Sequence, residues 1–211
     1  MTRIKICGIT SWEDAKAACD AGADALGFNF YAPSPRYIAP DDAGRIVRKL
    51  PRRVQAVGVF VNLPADIVLE IARRADLDFL QLHGDESPRR TGLLARSFPV
   101  IKAFRAEKGF RVAQLGHYAG ASAFLLDSFE PGNYGGTGRA FDWGIAKRAK
   151  KYGPVILAGG LTPANIARAI LKVRPFAVDV CSGVEASPGK KDRNLLRKLM
   201  SAMESARGKF A

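Results

Sequence analysis

Arg3-Ile4-Lys5-Ile6-Cys7-Gly8-Ile9-Thr10-Ser11-Trp12-Glu13-Asp14-Ala15 contains the unit that decides the fold. A short apolar run of strand character stops at a thiol, a glycine turns the chain, and Thr10 and Ser11 offer helix starts ahead of an acidic first turn. The same grammar recurs downstream. Phe124-Leu125-Leu126-Asp127 ends an apolar run on a carboxylate, and Val155-Ile156-Leu157-Ala158 runs into Gly159-Gly160-Leu161-Thr162. Working outward, strands are predicted at 2–7, 24–30, 54–60, 78–82, 99–104, 122–127, 154–158 and 175–180. Helical stretches are predicted near 11–21, 40–50, 64–75, 86–97, 108–118, 142–152, 163–172 and 192–207. The strands are short and apolar on both parities, the pattern of a parallel sheet covered on both faces.

Strand and helix alternate eight times through 211 residues with no linker or shift in composition. This predicts one domain over 1–211, a single (β/α)8 TIM barrel of minimal length. An open doubly wound sheet is the competing architecture, but no Gly-x-Gly-x-x-Gly follows the first strand. In a parallel barrel, chemistry collects on the loops that follow the strands, so every strand-end residue becomes a candidate.

The chain is 47% hydrophobic, enough for a substantial core. Its apolar runs fall well short of the roughly 18–20 residues needed to span a membrane. The amino terminus reads as a strand and not as a signal peptide. Cys7, Cys19 and Cys181 are odd in number and lack metal-ligand spacing, which predicts a reduced, cytoplasmic protein with no metal and no membrane partner. The formal charge is +13, from 33 Lys and Arg against 20 Asp and Glu. These basic residues are scattered over polar helix faces and helix ends, with no stacking aromatics between them. That argues for a solvated basic surface able to attract an anionic small molecule, and against nucleic acid.

Cys7, at a strand end beside Gly8, can act as base or nucleophile, whereas Cys19 in an Ala-rich helix reads as core. Asp127 follows an apolar run, where an unpaired charge is costly, so it calls for a partner or a function. Gly159-Gly160 precedes the helix start Thr162-Pro163, and a second turn, Cys181-Ser182-Gly183-Val184-Glu185, follows the last strand. Together they suit a phosphate, with Gly159, Gly160, Ser182 and Gly183 as the contacts. Arg36, braced by Pro33-Ser34-Pro35, is placed to clamp a carboxylate. His83 stands at the rim after strand four. Asp179 shares parity with Cys181 and either bonds substrate or ties down neighbouring backbone. Gly135, Gly136 and Gly138 lie in a long loop beside Asp127 that reads as a lid.

These residues resemble the phosphoribosylanthranilate isomerase family of tryptophan biosynthesis, nearly end to end. The matching segments are Lys5-Ile6-Cys7-Gly8-Ile9-Thr10, Ser34-Pro35-Arg36-Tyr37-Ile38, Gln81-Leu82-His83-Gly84, Gly135-Gly136-Thr137-Gly138 with Phe141-Asp142-Trp143, Gly159-Gly160-Leu161, and Val178-Asp179-Val180-Cys181-Ser182-Gly183-Val184-Glu185. The resemblance implies a barrel that needs no cofactor; the expected state is monomer or homodimer, between which the sequence does not choose. It also implies an Amadori rearrangement of N-(5'-phosphoribosyl)anthranilate to 1-(2-carboxyphenylamino)-1-deoxyribulose 5-phosphate. By that carry-over Asp127 is the general acid, Cys7 the general base, and Arg36 the clamp on the anthranilate carboxylate. Cys181 departs from the serine usual there. Barrel closure would make the first and last strands neighbours and bring Cys181 toward Cys7, which raises the expectation of a disulfide under oxidation. The competing reading is another phosphosugar epimerase or lyase on the same barrel, for which Lys5 or Lys102 would supply a Schiff base.

Overall fold

Eight strands pair in sequence order and close on themselves: β1 (Arg3–Cys7), β2 (Ala25–Asn29), β3 (Gln55–Phe60), β4 (Phe79–Leu82), β5 (Val100–Arg105), β6 (Ala123–Asp127), β7 (Val155–Ala158) and β8 (Ala177–Val180). Every pairing in the ring is parallel, including β8 with β1. The structure, a computed structural model, describes residues 1–106, 109–127 and 143–208. Around the barrel run α1 (Trp12–Ala21), α2 (Pro40–Val47), α3 (Ala65–Arg74), α4 (Pro88–Leu94), α5 (Trp143–Ala149), α6 (Ile166–Val173) and α7 (Arg193–Arg207). No helix among the described residues is long and apolar enough to cross a membrane.

Local chemistry places the ends. Ser11 accepts the Asp14 N–H to start α1, and Ser87 accepts the Arg90 N–H with Pro88 in the first turn of α4. Both faces of each strand are buried, as the apolar runs require. One parity packs outward beneath the helices, with Ile4, Ile6, Leu26, Phe28, Phe124, Leu126 and Val178 in one continuous core. The other parity fills the barrel, where Val57, Ile101, Ala103, Leu125, Ile156, Ala158 and Ala177 cluster. Cys19 lies in the outer core at 4% exposure, as expected.

Two expectations are corrected. The helix expected over 108–118 does not form among the described residues 109–118, where only a 3-10 turn is present, Val112–His117. Gly109 at φ 93 leaves the helical region just before it. Phe110 and Tyr118 then turn edge-on to Phe104, at centroid distances of 5.9 and 5.1 Å. Aromatic packing there outweighs a weak helical period. The second correction lies after β8, where a short antiparallel hairpin not read from the sequence forms between β9 (Glu185–Ser187) and β10 (Lys190–Lys191). It folds Lys191 back toward the barrel mouth. Helix α6 also starts later than its apolar period suggests, because Asn165 Oδ1 accepts the Thr162 N–H at 2.8 Å and holds that segment as a turn.

Candidate active site

The carboxyl ends of all eight strands open on one mouth. Register puts Lys5 opposite Asp179 and Ile6 opposite Val180, so Cys7 and Cys181 come next on the same inward parity. Small residues on β2 make room there. A Cβ on Gly27 would lie 2.7 Å from Cys7 Sγ and 3.0 Å from Lys5 Nζ, so thiol and ammonium border the same gap. Gly8 sits at φ 76, and a Cβ on it would meet Arg36 Cδ at 2.8 Å and Cys181 Sγ at 3.0 Å. Only glycine lets those two side chains close over the end of β1.

Charge converges on the Cys7 sulfur. Lys5 Nζ pairs with Asp179 Oδ1 at 2.9 Å, and both are buried. Lys191 Nζ donates to the Cys7 carbonyl at 2.5 Å and to Glu185 Oε1 at 2.8 Å. Glu185 also accepts Arg36 Nε at 2.9 Å and Arg36 Nη2 at 2.6 Å, and the Cys181 thiol at 3.7 Å. Three cations thus face two carboxylates, and a thiolate at Cys7 completes neutrality. Hydrogen bonding with the Cys181 thiol pulls the Cys7 thiol well below its ordinary range; burial opposes this, and Lys5 and Lys191 add to the lowering. The same contact pushes Cys181 up. Burial raises the Asp179 carboxyl to about 6, restrained by Lys5. Burial alone would lower Lys5, but Asp179 and Cys7 outweigh it and hold the ammonium charged.

Asp127 ends β6, three strands from β1 around the ring, with inward parity shared by Leu125 and Ala123. His83 Nε2 lies 3.5 Å from Asp127 Oδ2, and Gln81 Nε2 lies 2.8 Å from His83 Nδ1, which holds the ring. The loop carrying His83 is itself anchored. Buried Glu86 accepts Asn62 N–H at 2.8 Å, Gly84 N–H at 3.0 Å and Lys102 Nζ at 3.0 Å. Lys102 therefore faces the helices and braces a loop. With Lys5 held as an ammonium, neither lysine is disposed for Schiff-base chemistry.

On the far side of Cys181, the turns after β7 and β8 touch. Gly159 and Gly160 adopt φ 86 and 60, and Asn165 Nδ2 donates to the Gly160 carbonyl at 2.9 Å. A Cβ on Gly183 would lie 1.9 Å from the Leu161 carbonyl oxygen. The 3-10 turn Ser182–Val184 thus starts against Leu161-Thr162, directly after the Gly159-Gly160 pair. Gly183→Ala is expected to part the two turns, raising KM for a phosphorylated substrate at least severalfold and costing about 1–3 kcal/mol of stability. Steady-state kinetics and urea denaturation check both.

Cys7, Arg36, Asp179, Ser182 and Gly183 gather at β1 and β8, His83 and Asp127 stand together across the mouth, and the turn that Gly159-Gly160 begins abuts Ser182-Gly183. Arg36 is held by Glu185 through Nε and Nη2, which leaves Nη1 outside that pair. Asp179 pairs with Lys5 and not with neighbouring backbone. The candidate lid residues Gly135, Gly136 and Gly138 lie outside the described residues. Lys5, Glu185 and Lys191 are central and were not candidates for these roles from sequence. Lys5 carried a usable signal, two positions before Cys7 on one strand; Lys191 carried none, because a hairpin brings it in. Among the described residues, no three potential metal ligands cluster.

A family model described as N-(5'-phosphoribosyl)anthranilate (PRA) isomerase matches residues 4–202. N-(5'-phosphoribosyl)anthranilate isomerase of Citrifermentans bemidjiense is 53% identical over 201 residues, 95% of this chain and 96% of that protein. The crystal structure of phosphoribosyl anthranilate isomerase from Thermotoga maritima superposes with a TM-score of 0.89 at 42% identity, covering 99% of this chain and 100% of that one. A structure of such an isomerase in complex with reduced 1-(o-carboxyphenylamino)-1-deoxyribulose 5-phosphate superposes with a TM-score of 0.87 at 40% identity, covering 97% of this chain and 100% of that one.

Proposed function

The chain belongs to the N-(5'-phosphoribosyl)anthranilate isomerase family, and from that premise we propose that its barrel mouth performs the Amadori rearrangement of that substrate in tryptophan biosynthesis. Asp127 is the general acid and Cys7 the general base. Asp127 protonates the ribose ring oxygen, the C1–O bond breaks, and the anilino nitrogen lone pair forms an iminium. The Cys7 thiolate then takes the C2 proton, and the resulting enolamine becomes the ketone. The observation that carries this reading is the surroundings of Cys7, a part-exposed thiol at the mouth flanked by Lys5 and Lys191 and facing Cys181. Such surroundings favour the thiolate, the form that removes protons.

The ligand held by the related isomerase combines a carboxyphenylamino group, an open-chain sugar with its ketone reduced, and a phosphate. Each has a counterpart here. Arg36, oriented by Glu185, meets the carboxylate; the joined turns at Gly159-Gly160 and Ser182-Gly183 meet the phosphate; His83 and Asp127 flank the sugar. We assign Asp179 to positioning Lys5 beside the thiol. Arg36→Ala is expected to raise KM about 10- to 100-fold with a smaller change in kcat, since it removes a charge-assisted contact made in ground and transition states alike. The decisive assay follows the loss of phosphoribosylanthranilate fluorescence with purified protein. No turnover at saturating substrate would end the assignment.

A further inference from the structure

We propose that Cys7 and Cys181 form a dithiol modification site, in which a hydroperoxide oxidises Cys7 and Cys181 resolves it to a disulfide, switching the barrel off reversibly. The disulfide itself rests on geometry; its effect on activity rests on the role of Cys7 given above.

Strand register carries the geometry. β1 and β8 are parallel neighbours matched from Arg3 with Ala177 to Ile6 with Val180, so the next step sets Cys7 against Cys181. Adjacent strands lie about 4.7–4.9 Å apart, inside the span of roughly 4.4–6.8 Å between Cα atoms that disulfides bridge. Both side chains point into the barrel, on the parity of the Lys5–Asp179 pair. Cys181 Sγ lies over the end of β1, 3.0 Å from where a Gly8 Cβ would stand. Both cysteines are free and part-exposed at the mouth, whereas Cys19 is buried in the outer core. Lys5, Lys191 and Arg36 supply the cationic surroundings that favour a nucleophilic thiolate.

The steps balance. The Cys7 thiolate attacks the peroxide, breaking its O–O bond, forming a sulfenic acid and releasing hydroxide (or an alkoxide). The Cys181 sulfur then attacks the Cys7 sulfur, forming the S–S bond, and its proton leaves with the sulfenic oxygen as water. Two thiols lose two electrons and two protons in all, and hydrogen peroxide becomes two waters. A reducing dithiol reverses the bond. Without Cys181, the sulfenic acid is left to advance to sulfinic acid, which dithiols do not reduce.

The test treats the reduced enzyme with a small molar excess of hydrogen peroxide, reads activity on one aliquot before and after dithiothreitol, and in a second aliquot blocks remaining thiols by alkylation and maps tryptic peptides by mass spectrometry. Cleavage after Lys5, Lys16, Lys172 and Lys190, with Arg174 protected by Pro175, isolates each cysteine in its own peptide, Ile6–Lys16 and Val173–Lys190. The expected result is a linked pair, with activity lost in proportion to the linked fraction and restored by dithiothreitol. Cys181→Ser, compared with its own reduced form, should show no link and, as peroxide is raised further, Cys7 carried on to sulfinic acid with an activity loss that dithiothreitol does not restore; Cys19→Ser should behave as wild type. Oxidised wild-type protein with no Cys7–Cys181 peptide overturns the proposal, as does Cys7 of the wild type reaching sulfinic acid as readily as Cys7 of Cys181→Ser. A linked peptide with full activity would uphold the disulfide and instead sink the assignment of Cys7 as base.

Discussion

Asp127→Asn is expected to lower kcat by about 10²–10⁴-fold while KM stays within severalfold of wild type. Asparagine keeps the shape of the side chain at the end of β6 and its place 3.5 Å from His83, but it has no acidic proton. The ribose ring oxygen is a poor leaving group unless protonated as the C1–O bond breaks, so the loss falls on the chemical step. On the proposed assignment, binding relies on Arg36 and on the turns after β7 and β8, which this substitution leaves intact. Stopped assays at saturating substrate, with product binding measured separately, distinguish the two. A kcat within threefold of wild type would mean that another group supplies the proton, and His83 would be examined next.

Cys7→Ala should produce a loss of similar size, about 10²–10⁴-fold in kcat, because it deletes the group that takes the C2 proton in the proposed mechanism. Cys7→Ser should recover little, since a hydroxyl is far less ionised than a thiol held down by Cys181, Lys5 and Lys191. The pH profile gives an independent check. In the proposed mechanism the base acts as thiolate, so kcat/KM should rise with pH through the Cys7 pKa and level off above it. That pKa is lowered, so the limb should fall below the ordinary thiol value of about 8.5. Lys5→Met removes a neighbouring cation and should move the limb up by about 1–3 units. A wild-type limb at or above the ordinary thiol value, or one that Lys5→Met leaves in place, would contradict the proposed activation.

The barrel was legible because its signal is local and repeated. Each short apolar run must be buried on two faces, and each following segment carries one apolar stripe, so the alternation dictates strands within and helices without. The span 108–118 misled because its period is weak and its aromatic residues found Phe104 instead. Cys7, Asp127, the paired glycine turns and Arg36 were visible as reactive or turn-forming residues placed where strands end.

Their electrostatic company was not visible. Lys5 reaches Asp179 across 174 positions of sequence, and Arg36 reaches Glu185 across 149. Such partners are set by ring closure and strand register, neither of which leaves a local mark. The chain's own order of residues determined the alternation, the parity of each strand and the identity of its terminal groups. Only the tertiary structure decided that a hairpin returns Lys191 to the Cys7 carbonyl and that Glu185 holds Arg36. Long-range pairing depends on how the sheet closes, whereas strand and helix depend on period and burial along the chain itself.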